Sequence, residues 1–381
     1  MNQFNFLSTL LDFEPSGSPF LSIYLNTEPN ETGKKDFVIF LKKQISEHGS
    51  VLDPTSEEKE NFDAVAERIS AFVEGIDPST RGVAIFASAG QEGFFKSFEF
   101  QVPFDENKFF SFEKPHIYPL VRLIERHPTF SVVAADSNSA FIYIVRRGHV
   151  LNRDTIQNEK TSRSEAGGWS QMRFQRRIDN FHQQHAKEVV GELEKLVRED
   201  RVNTVVVVGD STVIVPMLRN EMSKELEEKV AATLSMNVNT PEHELLEAAE
   251  TAVREHDEAA DKEKVEFLFE QNYENGLGVT GVDKTLAALL SGQVQELYLT
   301  SNLDEISYDR GSVRKVLADY APGEDGDLPD AREKAMLIDE VIKQATRSAD
   351  GIRFIEDQHL LKTAGGVGGI LRYQVKGVSS V

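Results

Sequence analysis

Gly167 and Gly168 stand side by side ahead of Trp169, Ser170 and Gln171, and Arg173, Arg176 and Arg177 follow at the spacing of successive helical turns. Each residue type has a distinct chemistry. Two adjacent glycines admit backbone conformations closed to other residues, and Ser170 is expected to N-cap the helix that follows. Trp169, the only tryptophan in the chain, offers an indole face for stacking. Gln171 offers an amide that donates and accepts hydrogen bonds without ionising. From Lys160 to Arg177, five cations (Lys160, Arg163, Arg173, Arg176, Arg177) stand against one acid (Glu165), a local balance of +4 in a chain of net charge −21. A basic, glycine-hinged tip with stacking and amide groups suits folded RNA, because arginines meet phosphates and aromatic rings stack on bases. The alternative is an ordinary strand-to-helix connection followed by a solvated helix face.

Other groupings are weaker. Gly366-Val367-Gly368-Gly369 has a glycine rhythm like that of a dinucleotide loop, but no helical pattern follows and Leu371 takes the third glycine position, so a structural turn is expected. Gly209-Asp210-Ser211 after an apolar run has the outline of a nucleophile elbow, yet Val213 replaces the closing glycine and a helix cap is the better reading. His182 and His185 are three residues apart and could touch one metal ion. Without a third ligand they are expected at the surface, or facing RNA. No metal and no cofactor is expected.

The elements that must position the tip follow from periodicity. Apolar alternation and runs predict, up to residue 127, strands at 20–26, 82–88 and 94–102 with helices at 6–13, 35–47, 57–73 and 117–126. A hairpin at 130–136 and 140–145 and a strand at 149–156 lead into the glycine pair. A helix over 172–199 leaves it, and the β-branched run 202–209 reads as a strand buried on both faces. An acid-rich amphipathic helix over 241–273 carries Leu245, Leu246, Ala249 and Val253 on one stripe. It usually means a solvated face and otherwise a dock for a basic partner. Beyond it come helix 282–290, strand 294–300, helix 331–346 and strand 352–355. The fold class expected is α/β with mixed sheets and packed helices, in three domains at 1–127, 128–262 and 263–381.

Composition narrows the rest. With 381 residues and 40% hydrophobic content the chain can bury two or three ordinary cores. No apolar run reaches the roughly 20 residues that span a bilayer, and the N-terminus lacks a basic signal region, so a cytoplasmic protein without membrane contact is expected. The absence of cysteine removes disulfides, thiolate metal sites and cysteine nucleophiles together. A pI near 4.9 repels bulk nucleic acid, so an RNA partner must be met locally and by shape.

The segment around the glycine pair resembles the catalytic loop of the archaeal and eukaryotic class I release factors and Pelota, whose central domain carries Gly-Gly-Gln and then a helix opening with Ser, Arg and Phe. Gly167, Gly168, Ser170, Arg173 and Phe174 fall on that pattern without gaps. The family's glutamine position is Trp169 here, and Gln171 lies two residues later. The order hairpin, loop, long helix, buried strand is similar to the family's central domain. Leu289-Leu290-Ser291-Gly292-Gln293-Val294 and Gly366-Val367-Gly368-Gly369-Ile370-Leu371-Arg372-Tyr373 are similar to its C-terminal domain, so the resemblance covers roughly 128–381. It implies a bacterial, Balon-like branch with a three-domain architecture. The factor would occupy the A site of stalled or idle ribosomes, place the loop at the peptidyl transferase centre against rRNA and possibly tRNA, and meet a translational GTPase. Gly167, Gly168 and Gln171 would be the catalytic positions if peptidyl-tRNA ester is hydrolysed. Lys160, Arg163, Trp169, Ser170, Arg173, Arg176 and Arg177 would contact RNA. An Asn-Ile-Lys-Ser tetrapeptide and the cysteine of the family's second stop-codon element are both missing, so stop-codon reading is not expected. A further reading, of another class, is a scaffold that binds protein through its acidic surface.

Overall fold

The computed structural model describes residues 7–15, 18–30, 32–88, 90, 94–146, 148–157, 169–273, 276–320 and 330–373. The chain forms two compact units, Met1–Arg126 together with Asp261–Val381, and His127–Ala260. Its class is the α/β one expected, with three sheets and packed helices.

The first stretch contains α1 (Ser8–Leu11), β1 (Phe20–Asn26), α2 (Asp36–Val51), α3 (Glu57–Glu74), β2 (Gly82–Ser88), β3 (Phe95–Phe100), β4 (Lys108–Phe112) and α4 (Tyr118–Arg126). Its antiparallel sheet runs β3-β2-β1-β4. The two-residue period of a strand divides β1 between two cores. Leu21, Ile23 and Leu25 pack with Phe37 and Leu41 of α2 and Phe62, Ala66 and Ile69 of α3. Phe20 and Tyr24 face the other way, into a core shared with α1, α4 and the last third of the chain. β4 escapes the sequence reading because five residues with three phenylalanines show neither length nor clean alternation.

The second unit contains β5 (Phe130–Ala135), β6 (Ser139–Arg146), β7 (His149–Gln157), α5 (Trp169–Glu199), β8 (Thr204–Gly209), α6 (Ile214–Glu221), α7 (Lys224–Glu228) and β9 (Val230–Leu234). Helix α8 (Glu242–Gln271) begins in it. The sheet order is β7-β6-β5-β8-β9, with β5, β8 and β9 parallel and the β5-β6-β7 meander antiparallel. The expectation for 202–209 holds in detail. Val205 and Val207 meet α5 through Ala186, Val189 and Leu193, while Val206 and Val208 meet Leu245, Ala249 and Val253 of α8.

One expectation fails inside this unit. His185 is buried, not surface or RNA-facing, because it sits one residue before Ala186 on the packed side of α5. Burial pushes its imidazole below the ordinary histidine value, against a hydrogen bond to the Ser139 backbone and the charges of Asp136 and Glu188.

The last stretch contains β10 (Gly278–Thr280), α9 (Val282–Leu290), β11 (Val294–Thr300), α10 (Arg310–Tyr320), α11 (Asp330–Ser348), β12 (Gly351–Ile355), α12 (Gln358–Leu361) and β13 (Val367–Leu371). The sheet runs β10-β13-β11-β12. Gly365 and Gly366 turn with φ +66° and +80°, as expected of a structural turn, but Gly368 and Gly369 are strand residues of β13. A Cβ on Gly368 would lie 2.7 Å from the Leu268 side chain, and one on Gly369 3.0 Å from the Glu296 carbonyl, so close packing demands both glycines.

Asp339 of α11 binds this unit together. Its Oδ1 accepts the backbone N–H groups of Ile117 (2.9 Å) and Tyr118 (3.0 Å) at the start of α4, and its Oδ2 accepts from His116 Nδ1 at 2.6 Å. His116 is fully buried, with its own N–H on Ser22 Oγ (3.0 Å) and its carbonyl accepting from Tyr24 Oη. A carboxylate more than two hundred residues away thus does what an N-cap side chain does locally.

Two predictions follow from this packing. Asp339→Ala leaves two helix N–H groups and a buried imidazole without an acceptor, and should cost about 2–3 kcal/mol in urea unfolding of the full chain, with Asp339→Asn recovering part of it. An unchanged midpoint for Asp339→Ala would refute the tertiary cap. For His185, the folded pKa lies below the unfolded one, so the unfolded chain binds the extra proton as pH falls through the ordinary histidine range. Stability should therefore drop on going from pH 7 to pH 5, and His185→Gln should flatten that part of the profile, measured by urea midpoints across pH.

Candidate nucleic-acid interface

The loop with the glycine pair is entered from β7, an edge strand, and left through α5. β7 is held by β6 along eight register positions, from Ser139↔Gln157 to Arg146↔His149. On its exposed side, Arg153 pairs with Glu242 at the start of α8 and lies over the Tyr143 ring at 5.7 Å. α5 is fixed from its other half. Ala186, Val189, Val190, Leu193, Leu196 and Val197 are all buried against the sheet. This packing anchors the C-terminal half of a helix whose 31 residues make it about 46 Å long.

Among the expected site residues, Lys160, Arg163, Gly167 and Gly168 lie outside the described residues. Trp169, Ser170, Gln171, Arg173, Arg176 and Arg177 all belong to the first turns of α5. The helix starts at Trp169, so Ser170 lies inside the first turn and not at the flanking position that an N-cap occupies. The backbone is helical from 169 onward, without a bulge at Trp169 and Ser170. At about 100° per residue, positions 169, 173, 176 and 177 share one side of the helix, whereas position 171 lies about 200° around from 169 and 173. Position 171 therefore falls on a different side of the helix register from positions 169, 173, 176 and 177. The positive end of the helix dipole adds to the arginines at the same end.

The other candidates resolve as structure. Asp210 Oδ1 accepts from Thr212 N (2.7 Å), Thr212 Oγ1 (2.5 Å) and Val213 N (3.1 Å), a side-chain turn that leads into α6. The Thr212 bonds hold its carboxyl below the ordinary value. A Cβ on Gly209 would lie 2.6 Å from the Ala135 carbonyl, so this glycine is required by the strand crossing and not by a nucleophile. His182 and His185 form no metal grouping, and none of three or more His, Cys, Asp or Glu residues exists among the described residues. No helix there is long and apolar enough to cross a membrane.

Comparison with known proteins bears on this region directly. Residues 115–254, which include the whole second sheet, the loop and α5, match the model of bacterial archaeo-eukaryotic release factor family 10. Eukaryotic peptide chain release factor subunit 1 of Oxytricha trifallax is 25% identical over 303 residues, covering 72% of this chain and 67% of that protein. Peptide chain release factor subunit 1 of Methanobrevibacter smithii is 23% identical over 289 residues, covering 68% of each. Among solved structures, a model of ribosome-bound archaeal Pelota with ABCE1 is 17% identical, covering 77% of this chain and 78% of that one, with a TM-score of 0.40. Residues 115–254 therefore match bacterial archaeo-eukaryotic release factor family 10, and about seven tenths of the chain is similar to eukaryotic and archaeal peptide chain release factor subunit 1.

Proposed function

We propose that this protein is a ribosome-binding factor that occupies the A site of stalled or idle ribosomes, in hibernation or rescue, and brings the loop at Gly167-Gly168-Trp169-Ser170-Gln171 to the peptidyl transferase centre. The observation that carries the proposal is the family match over residues 115–254, which spans the glycine pair and the arginine-bearing start of α5. Lys160, Arg163, Arg173, Arg176 and Arg177 supply phosphate contacts, and Trp169 stacks on a base or on a tRNA end. The three segments 1–127, 128–262 and 263–381 act as separate functional domains in this reading. The third meets a translational GTPase.

Cleavage of peptidyl-tRNA is the rival activity of the same loop. A glutamine amide is no general base; it would have to orient a water and donate to the developing charge. The continuous helix from Trp169 favours occlusion over cleavage, because it holds position 171 two residues past the family's glutamine position and on another side of the helix register from 173, 176 and 177.

Ribosome binding is tested by co-sedimentation with 70S particles and separated subunits. Replacing Arg173, Arg176 and Arg177 together with alanine should weaken it and lower the slope of log affinity against log salt by about 2. Unchanged affinity and slope would count against the RNA-facing tip and for an acidic protein-binding scaffold. Cleavage is tested by single-turnover release of peptide from peptidyl-tRNA on ribosome complexes. Under the occlusion reading the protein releases peptide no faster than the factor-free background, and Gln171→Ala changes nothing. Release above background that falls about a hundredfold in Gln171→Ala would establish the hydrolase instead.

A further inference from the structure

A second reversal of charge lies in the first sheet's helical layer. Lys34, Lys35, Lys42 and Lys43 stand against Asp36 alone between residues 34 and 43, a local +3 in a chain of net charge −21. All four lysines are exposed. Ile39, Lys42 and Lys43 fall at i, i+3 and i+4 of the α2 register and share its outward side, and Lys35 stands at the N-cap. Lys34, Lys35 and Lys42 have no ion pair among the described residues, and Lys43 has only a loose, exposed contact of 3.8 Å with Glu47.

The end of this row is pre-shaped. Asn30 Oδ1 accepts from Thr32 N (2.9 Å), Thr32 Oγ1 (2.8 Å) and Lys34 N (2.9 Å), and Gly33 completes the turn at φ +75°. The Asn30 amide in turn holds both oxygens of Asp36, at 3.0 and 2.9 Å. The one acid in the row is thereby engaged by a neutral donor, while Lys34, Lys35 and Lys42 stay free for an external anion. Lys35 and Lys42 also rim a surface groove of about 250 Å³ between α2 and α3, floored by Phe37, Val38, Leu41 and Val73 and bordered on the α3 side by Glu74. Ile39, in the middle of the row, is 66% exposed, an apolar contact among cations.

From this arrangement we infer that the outward face of α2 is a second RNA-binding surface, in which Lys35, Lys42 and Lys43 neutralise backbone phosphates and Ile39 packs on a sugar or base. The inference rests on the ribosomal reading for its choice of RNA over an acidic protein. Phosphates spaced along a strand suit cations spread over about 10 Å of a straight helix. The surrounding acidic surface restricts binding to this face.

The test uses the full chain and a fluorescent 20-nucleotide RNA hairpin, followed by anisotropy from 25 to 200 mM salt. Lys35→Gln, Lys42→Gln and Lys43→Gln combined should lower affinity about tenfold or more at low salt and lower the log-log salt slope by about 2, with an unchanged thermal melt. Equal affinity and slope for wild type and variant, or no hairpin binding by wild type, overturns the inference even where wild type co-sediments with ribosomes. Loss of binding to a fluorescent poly-glutamate peptide with hairpin binding unchanged overturns it in favour of an acidic protein partner. Conversely, lysine-dependent hairpin binding by a protein that fails to co-sediment with ribosomes supports the RNA surface and defeats the ribosomal reading alone.

Discussion

The unit built from the two ends of the chain depends on one carboxylate. Asp339 reaches from α11 to the start of α4, satisfies two N–H groups that the helix cannot satisfy itself, and fixes a fully buried histidine. Unpaired buried donors cost about 1–3 kcal/mol each, so such a residue determines whether the core around it can close at all. Around it, Tyr118 Oη donates to the Thr300 carbonyl (3.0 Å) and Arg122 joins Asp105 to Glu356. These contacts stitch α4 to β11 and β12 while Phe20, Tyr24, Leu286 and Ile338 fill one apolar core.

The second unit solves a different problem, which is to hold the tip of a helix by its far half. A strand buried on both faces needs apolar cover on each, and α5 and α8 provide it. The side of α5 that covers the sheet cannot also face RNA. His185 lies on that packed side and is shifted down, while Arg173, Arg176 and Arg177 precede the packed half of the helix. The basic start of α5 and the core residues of its later half are separated along one helix.

Charge follows the same economy. The protein is acidic overall, and among the described residues many cations are held in pairs such as Arg219 with Glu227 or Arg372 with Asp350. The local runs of positive charge at 34–43 and 160–177 therefore stand out in sequence against an acidic background.

Much of the architecture was legible in the chain itself. The period-two run at Phe20–Asn26, the β-branched stretch before Gly209 and the stripe Leu245, Ala249 and Val253 each encode which face is buried, because local spacing dictates direction. The glycine pair and the residues after it carried the family resemblance, and the match over residues 115–254 includes that stretch. Tertiary structure alone decided the rest. Nothing near Asp339 in sequence announces a cap for α4, and nothing near Gly368 announces a strand, since the partners arrive from the distant residues Ile117 and Leu268. His185 differs from His182 only by its angle around a helix whose packed side becomes known once the sheet is in place. Local pattern determines the element and its faces; which groups meet across those faces depends on contacts between residues far apart in the chain, and no short stretch of sequence contains both partners.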